Sequence, residues 1–401
     1  MPCRIETASS PLPAARPLPD ALAWIDDDLA GLAAADLLRP HRIRQGKQGA
    51  RIVLDGRDLV NFGSNDYLGY AADVRLTKAA SKAACAEGFG AGASPLVSGH
   101  SQAHENLERA IAELLAVEAA VVFPSGFAAN SATIAAVAGP ADVIFSDERN
   151  HASLIDGCRL SRASVSIYPH RDLIALDAAL ARASAARRRL IVTDTLFSMD
   201  GTIPPLADLC EIARRHGAIL MVDEAHATGV FGDRGSGLVE HFGCSDGVHI
   251  RVGTLSKAVG AAGGFVAGHR RLLEWLRHKA RAWIFSTAHP PAVAAAATRA
   301  VHLLATEPER RRELLARATT FRDQLAARGL DRGGAEAQIV PIMAGLPAAA
   351  VALSARLADA GFFVPAIRPP SVPPGGALVR VSISWLHTED DLARLCHALA
   401  D

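Results

Sequence analysis

Lys257 stands in the small-residue stretch GTLSKAVGAAGGFVAG, and thirty-four residues before it the apolar run ILMVDEAHATG carries Asp223 and His226. A lysine amine forms an imine with an aldehyde. A carboxylate beside a pyridine nitrogen keeps that nitrogen protonated, so that the ring can draw electrons from a substrate carbanion. In this order and context the two predict a pyridoxal 5'-phosphate site. Each has a plainer reading alone: a solvated lysine in a Gly/Ala loop, and an acidic turn at a strand end. The string DEAH is also the metal-binding box of one helicase group, but that chemistry needs a phosphate loop G-x-x-x-x-G-K-[ST], which the sequence lacks.

Other residues fit the same cofactor. PSGFAAN (124–130) reads as a strand end, a turn at Ser125, Gly126 and Phe127, and a helix start, which offers free N–H groups and a favourable dipole to a phosphate; the plainer reading is an ordinary helix cap. Thr254 could add a hydroxyl. His151, in SDERNHASL, could lie flat on the ring and give a proton to the substrate, or be a surface histidine. His226 and Ser198 of TLFSMDG could reach the ring hydroxyl. Such surroundings would hold Lys257 below its free pKa of roughly 10.4. Arg380 interrupts the apolar strand pattern ALVRVSIS, so it is either paired or aimed into a site, where its fork could clamp a substrate carboxylate. Arg368, on the proline loop AIRPPSVPPG, is the weaker candidate. His100 and His104 are four apart without the glutamate of a zincin, and the reading is a helix-start pair with no metal.

These residues need strand ends to hold them. Uniformly apolar strands are expected at 119–125, 141–147, 190–196, 218–224, 249–255 and 264–268, alternating with segments of helical length. Strands apolar on both faces imply a largely parallel sheet between helices, an α/β architecture whose functional groups gather past the strand carboxyl ends. His151, Ser198, Asp223, His226 and Lys257 all fall there. After about residue 300 the texture changes to a smaller α+β domain. The expected division is a flexible Pro/Ala-rich extension at 1–20, a segment at 21–70 packing with the small domain, a large cofactor domain at 71–300, and a small domain at 301–401.

With 42 basic and 42 acidic residues, nothing favours nucleic acid as a partner. No apolar run is long enough to span a membrane, the start does not read as a secretory signal, and six scattered cysteines read as reduced thiols of a cytoplasmic protein.

The strings NFGSNDYLGY (61–70), GFGAGASPLVSGH (88–100), FPSGFAAN (123–130), NHASLIDG (150–157), TLFSMDGTIPPL (195–206), MVDEAHATGVFG (221–232), GTLSKAVG (253–260), FSTAHPP (285–291) and AIRPPSVPPGGALVRVSIS (366–384) run in family order. On them the chain resembles the α-oxoamine synthases among the fold-type I pyridoxal-phosphate transferases. The resemblance implies a large domain with a mostly parallel seven-stranded sheet, a smaller C-terminal α+β domain, and a homodimer with active sites at the subunit interface. It implies Lys257 as the cofactor-linking lysine and base, Asp223 on the pyridine nitrogen, His151 stacked on the ring, and Ser198 and His226 on the ring hydroxyl. Ser125, Gly126, Phe127 and Thr254 would bind phosphate, with Ser286 or Thr287 supplied by the neighbouring subunit. Asn65 and Arg380 would hold the amino-acid carboxylate, with Arg368 and Arg39 as further substrate contacts. The implied reaction is decarboxylative condensation of L-alanine with pimeloyl-CoA or a pimeloyl carrier protein, in biotin biosynthesis. The alternative is a sister synthase joining glycine or serine to another acyl-CoA, or a secondary-metabolite synthase. Ala93, Pro95 and His100 depart from the family pattern near the substrate entrance.

Overall fold

The computed structural model describes residues 18–330 and 334–400. The expected flexible extension therefore lies outside the described residues as far as residue 17, and Cys3 with it. Residues 18–41 belong to a separate unit, a turn at Asp20–Leu22 and a helix at Trp24–Ala34 with no buried residue. Arg39 is exposed on this unit.

The body begins at Arg42. Its largest sheet has seven strands in the order Ala119–Phe123, Gly264–Gly268, Ile250–Thr254, Ile219–Asp223, Arg189–Asp194, Val143–Asp147, Ser164–Tyr168. Only Gly264–Gly268 runs antiparallel to its neighbours. All six strands read from the sequence are present, with ends shifted by no more than two residues. The seventh, Ser164–Tyr168, was not read. It is an edge strand paired on one side only, and it leaves Val165 and Ile167 exposed, so it lacks the continuous apolar signature of its buried neighbours.

A second sheet opens with the hairpin Arg51–Leu54 and Arg57–Asn61, turned by Asp55-Gly56 with positive φ at both residues. That dipeptide suits the turn because its left-handed backbone matches the twist of the strands. Asn61 and Val60 then pair in parallel with Phe363 and Phe362, which ties this N-terminal hairpin to the C-terminal third of the chain. A third sheet holds Ile339–Gly345, Ala377–Ser382 and Ala366–Ile367, with Arg380 opposite Pro341. The largest apolar cluster runs from Val60 through Leu107, Phe265 and Leu304 to Val381 and Leu395, while further clusters pack the rest of the large sheet and the hairpin. Among the described residues no helix is long and apolar enough to cross a membrane.

Candidate active site

Asp223 is the last residue of its strand, in register with Asp194 on one side and Val252 on the other. Donors converge on it: Asn130 Nδ2 on Oδ2 at 2.6 Å and Ala225 N on Oδ1 at 2.8 Å. Burial, and then the charge of Asp223, push the Asp194 carboxyl well above its ordinary range. Asp194 Oδ2 in turn accepts from His151 N at 2.8 Å, fixing the start of helix Ala152–Ser161. Neither Asn130 nor Asp194 was singled out from the sequence. Both are buried, and their partners lie far away along the chain.

Lys257 follows strand Ile250–Thr254 and keeps part of its surface. Burial pushes its amine down to about 8; Arg380 adds to that, while Asp223 and Asp194 oppose it. The charge of Lys257 in turn acts on His151 and His226. Burial lowers His151, with Asp223 opposing and Lys257 assisting, and it lowers His226 well below the usual imidazole value, assisted by Lys257, Arg380 and His151. Lys257, Asp223, His151, His226 and Arg380 thus share one electrostatic neighbourhood although they come from five places in the sequence.

His226 and Arg380 are joined by a group the sequence reading passed over. Tyr67, fully buried, sits 2.6 Å from His226 Nδ1. Arg380 Nη2 donates to Asn65 Oδ1 at 2.7 Å and to the Tyr67 oxygen at 3.4 Å. Gln338 donates to the His226 carbonyl at 3.0 Å. The Arg380 guanidinium is buried on the strand Ala377–Ser382, and its Nε has no protein partner. A buried arginine with donor capacity to spare offers a planar fork that a carboxylate can fill. Arg368 is also buried, on the loop that carries the cis Pro369–Pro370 bond.

At the other end of the site, helix Gly126–Val137 begins against strand Gly264–Gly268. A methyl on Gly264 would lie 2.5 Å from Gly126 N and Ser125 C, so the strand needs glycine there to approach the helix start. Ser125 caps the helix by accepting from Ala128 N at 3.0 Å. The N–H groups of Gly126 and Phe127 precede any intrahelical acceptor. A methyl on Gly126 would sit 3.3 Å from Thr254 Cβ, which places the threonine beside them. The Thr254 hydroxyl donates to the Gly263 carbonyl at 2.9 Å and lies 2.8 Å from Ser256 Oγ, so Ser256 joins the candidates for an anion at this helix start. Ser198 is buried on the turn after strand Arg189–Asp194, closed by Phe197 N on the Thr202 carbonyl at 3.0 Å. These donor sets fit a phosphate-bearing pyridine: free N–H groups at a helix start, an amine with lowered pKa, and a braced carboxylate.

Ser286 and Thr287 line a narrow cleft with Pro95, His100, His104, Phe123 and Pro124, a set that does not include Lys257. His104 spends both ring nitrogens on structure, Nδ1 on Ser101 N at 3.1 Å and Nε2 on the His289 carbonyl at 2.9 Å. His100 precedes the helix Gln102–Leu115 and lies near Glu105 and Glu108, and Arg277 pairs with Glu108 at 3.0 Å.

Comparison with known proteins agrees with this geometry. The family described as aminotransferase class I and II matches residues 57–399. An 8-amino-7-oxononanoate synthase of Symbiobacterium thermophilum is 46% identical over 94% of this chain and 96% of its own. A variant of serine palmitoyltransferase from S. paucimobilis, solved with pyridoxal phosphate and myriocin bound, superposes with a TM-score of 0.90 at 30% identity, covering 96% of this chain and 98% of its own. The 8-amino-7-oxononanoate synthase of Francisella tularensis gives 0.72 at 27% identity, covering 85% and 97%. With the strand-end lysine, the braced aspartate and the helix-start donors already in place, these matches establish that the chain belongs to the aminotransferase class I and II family of pyridoxal-phosphate enzymes, in its α-oxoamine synthase branch.

Proposed function

We propose that this enzyme condenses L-alanine with a pimeloyl thioester, releasing carbon dioxide and the free thiol and forming 8-amino-7-oxononanoate, a step toward biotin. The observation that carries the reading is the constellation of Lys257, Asp223 and Arg380, drawn from two different sheets, with an Arg380 Nε that has no protein partner, in a chain 46% identical to an 8-amino-7-oxononanoate synthase. Bound pyridoxal phosphate supplies an aldehyde for an amino group and an electron-poor ring that stabilises negative charge at the substrate α-carbon.

The chain's own residues supply the rest. Lys257 Nζ, neutral in a useful fraction of molecules near neutrality, takes the proton from the α-carbon. Asp223 holds a proton on the ring nitrogen, kept in place by Asn130 Nδ2 and Ala225 N. His151 would cover the ring and donate a hydrogen bond from its free nitrogen; His226 and Ser198 would serve the ring hydroxyl. Arg380 and Asn65 hold the substrate carboxylate, so that one bond at the α-carbon faces Lys257. The first N–H groups of helix Gly126–Val137, with Ser125, Phe127, Thr254 and Ser256, hold the phosphate.

The enzyme works as a homodimer in this reading, with Ser286 and Thr287 completing the phosphate site of the partner. An exposed apolar surface supports it: Phe89, Leu96, Val97 and Phe285 are exposed, and Ala288 N donates to the Ala93 carbonyl at 3.0 Å, joining the segments that carry them. The higher structural similarity to a serine palmitoyltransferase keeps one second reading, a sister synthase for another amino acid.

The deciding experiment is a titration of the cofactor-loaded protein with L-alanine, glycine and L-serine, followed by visible absorbance, and then addition of pimeloyl-CoA. Selective saturation by L-alanine, followed by thiol release and a product of the oxononanoate mass, supports the proposal. Selective response to serine or glycine, or inertness toward pimeloyl-CoA, moves the enzyme to the sister branch.

A further inference from the structure

His151 is held by a chain of hydrogen bonds whose direction is forced. Asp223 Oδ2 accepts, so the Asn130 atom 2.6 Å from it is the amide nitrogen, which fixes the orientation of that amide. The same nitrogen gives its second hydrogen to Ser153 Oγ at 2.9 Å. Ser153 Oγ, accepting there, keeps its own hydrogen, which can go to His151 Nδ1 at 2.8 Å. The Ser153 backbone N–H faces the same Nδ1 at 3.3 Å, and an amide N–H only donates. Two donors at Nδ1 leave no room for a proton on it. Asn130 and Ser153 are each 1% exposed, so water does not replace either one. The Asn130 Oδ1 atom is buried without a partner, a cost that the orientation imposed by Nδ2 has to outweigh. Close approach of the two helices makes the reach possible: a methyl on Gly157 would lie 3.0 Å from Ser131 Cα.

We propose that Asn130 and Ser153 are positioning residues that fix His151 with its proton on Nε2 and tie that histidine to the carboxylate of Asp223. This rests on the reading that His151 covers the cofactor ring and Asp223 serves its nitrogen. The proton held at the ring nitrogen and the Nε2–H that His151 presents as a hydrogen-bond donor are then both set by one buried amide. Two neighbouring charges bear on His151 as well: Asp223 favours its protonated form and Lys257 opposes it.

Nitrogen NMR of 15N-histidine-labelled protein tests the relay, with a His151→Gln protein assigning the signal, first without cofactor and then with pyridoxal phosphate. The wild type should show a bare Nδ1 and a protonated Nε2 wherever the ring is neutral. A hydroxyl donating to Nδ1 stabilises the neutral ring, so Ser153→Ala should raise the ionisation midpoint of His151 by about half a pH unit or more and populate the other tautomer. The acid limb of kcat should move up with it, with a smaller effect on KM for the amino acid. Ser153→Thr should restore all three. An Nδ1–H tautomer in the wild type, an unchanged His151 signal in Ser153→Ala, or a Ser153→Thr protein that behaves like Ser153→Ala would each overturn the proposal. Failure of the wild type to take up pyridoxal phosphate would instead sink the functional reading, while the cofactor-free spectra judge the relay by themselves.

Discussion

Burial changes the Lys257 amine more than any neighbouring charge does, bringing it down to about 8. The amine reacts only when neutral, so recapture of pyridoxal phosphate by the cofactor-free protein should speed up as pH rises through a midpoint near 8 and then level off. A midpoint close to the free-lysine value of about 10.4 would mean that the pocket does not act on the amine. Arg380 makes a second prediction. Arg380→Lys keeps the charge but loses the planar fork, so KM for the amino acid should rise roughly tenfold or more while cofactor binding holds; an unchanged KM removes Arg380 from the carboxylate role. Lys257, Asp223 and Arg380 were legible because each is a charge set in an apolar string. Tyr67, Asn130 and Ser153 were not, because they are neutral and buried. Tyr67 meets His226 159 positions along the chain, and Asn130 meets Asp223 93 positions along. Only the fold brings such partners together.

Strands and helices position these side chains by close backbone approach, and glycine marks where that approach is tightest. At Gly264 an added methyl meets backbone atoms of Ser125 and Gly126 at 2.5 Å, whereas at Gly126 it meets the Thr254 side chain at 3.3 Å. Backbone cannot rotate away as a side chain can. Gly264→Ala should therefore destabilise the protein by about 1–3 kcal/mol and weaken pyridoxal-phosphate binding, and Gly126→Ala should do much less of both. Thermal unfolding with a cofactor titration on the two variants checks this; equal effects would show that the strand is not what holds the helix start in place. The same reasoning explains which elements could be read from sequence. The six buried strands are continuous apolar runs and announce themselves. Ser164–Tyr168, at the sheet edge, exposes Ile167 and has nothing in its pattern to set it apart from a loop. The hairpin at Asp55-Gly56 carried a readable turn signal, but its parallel partner Phe362–Phe363 lies some 300 positions later, beyond any local pattern.

For the whole molecule the open question is how Ser286 and Thr287, which line a cleft with Pro95, His100 and Pro124 that does not include Lys257, could act at a phosphate. A two-fold dimer answers it by letting each copy complete the other, and mixing variants tests it. A Lys257→Ala subunit has no linking amine but offers intact Ser286 and Thr287 to its partner. A subunit with Ser286→Ala and Thr287→Ala has the amine but offers nothing. In a mixed dimer one site receives both defects and the other receives neither. Random exchange makes about half of the dimers mixed, each with one intact site of two, so activity should recover to about a quarter of wild type although each parent is severely impaired. If Ser286 and Thr287 acted within their own chain, every site in the mixture would carry one defect or the other, and mixing would restore nothing. Co-purification of one variant through an affinity tag carried only by the other confirms that mixed dimers have formed, so a null recovery with mixed dimers present counts directly against sharing of the site.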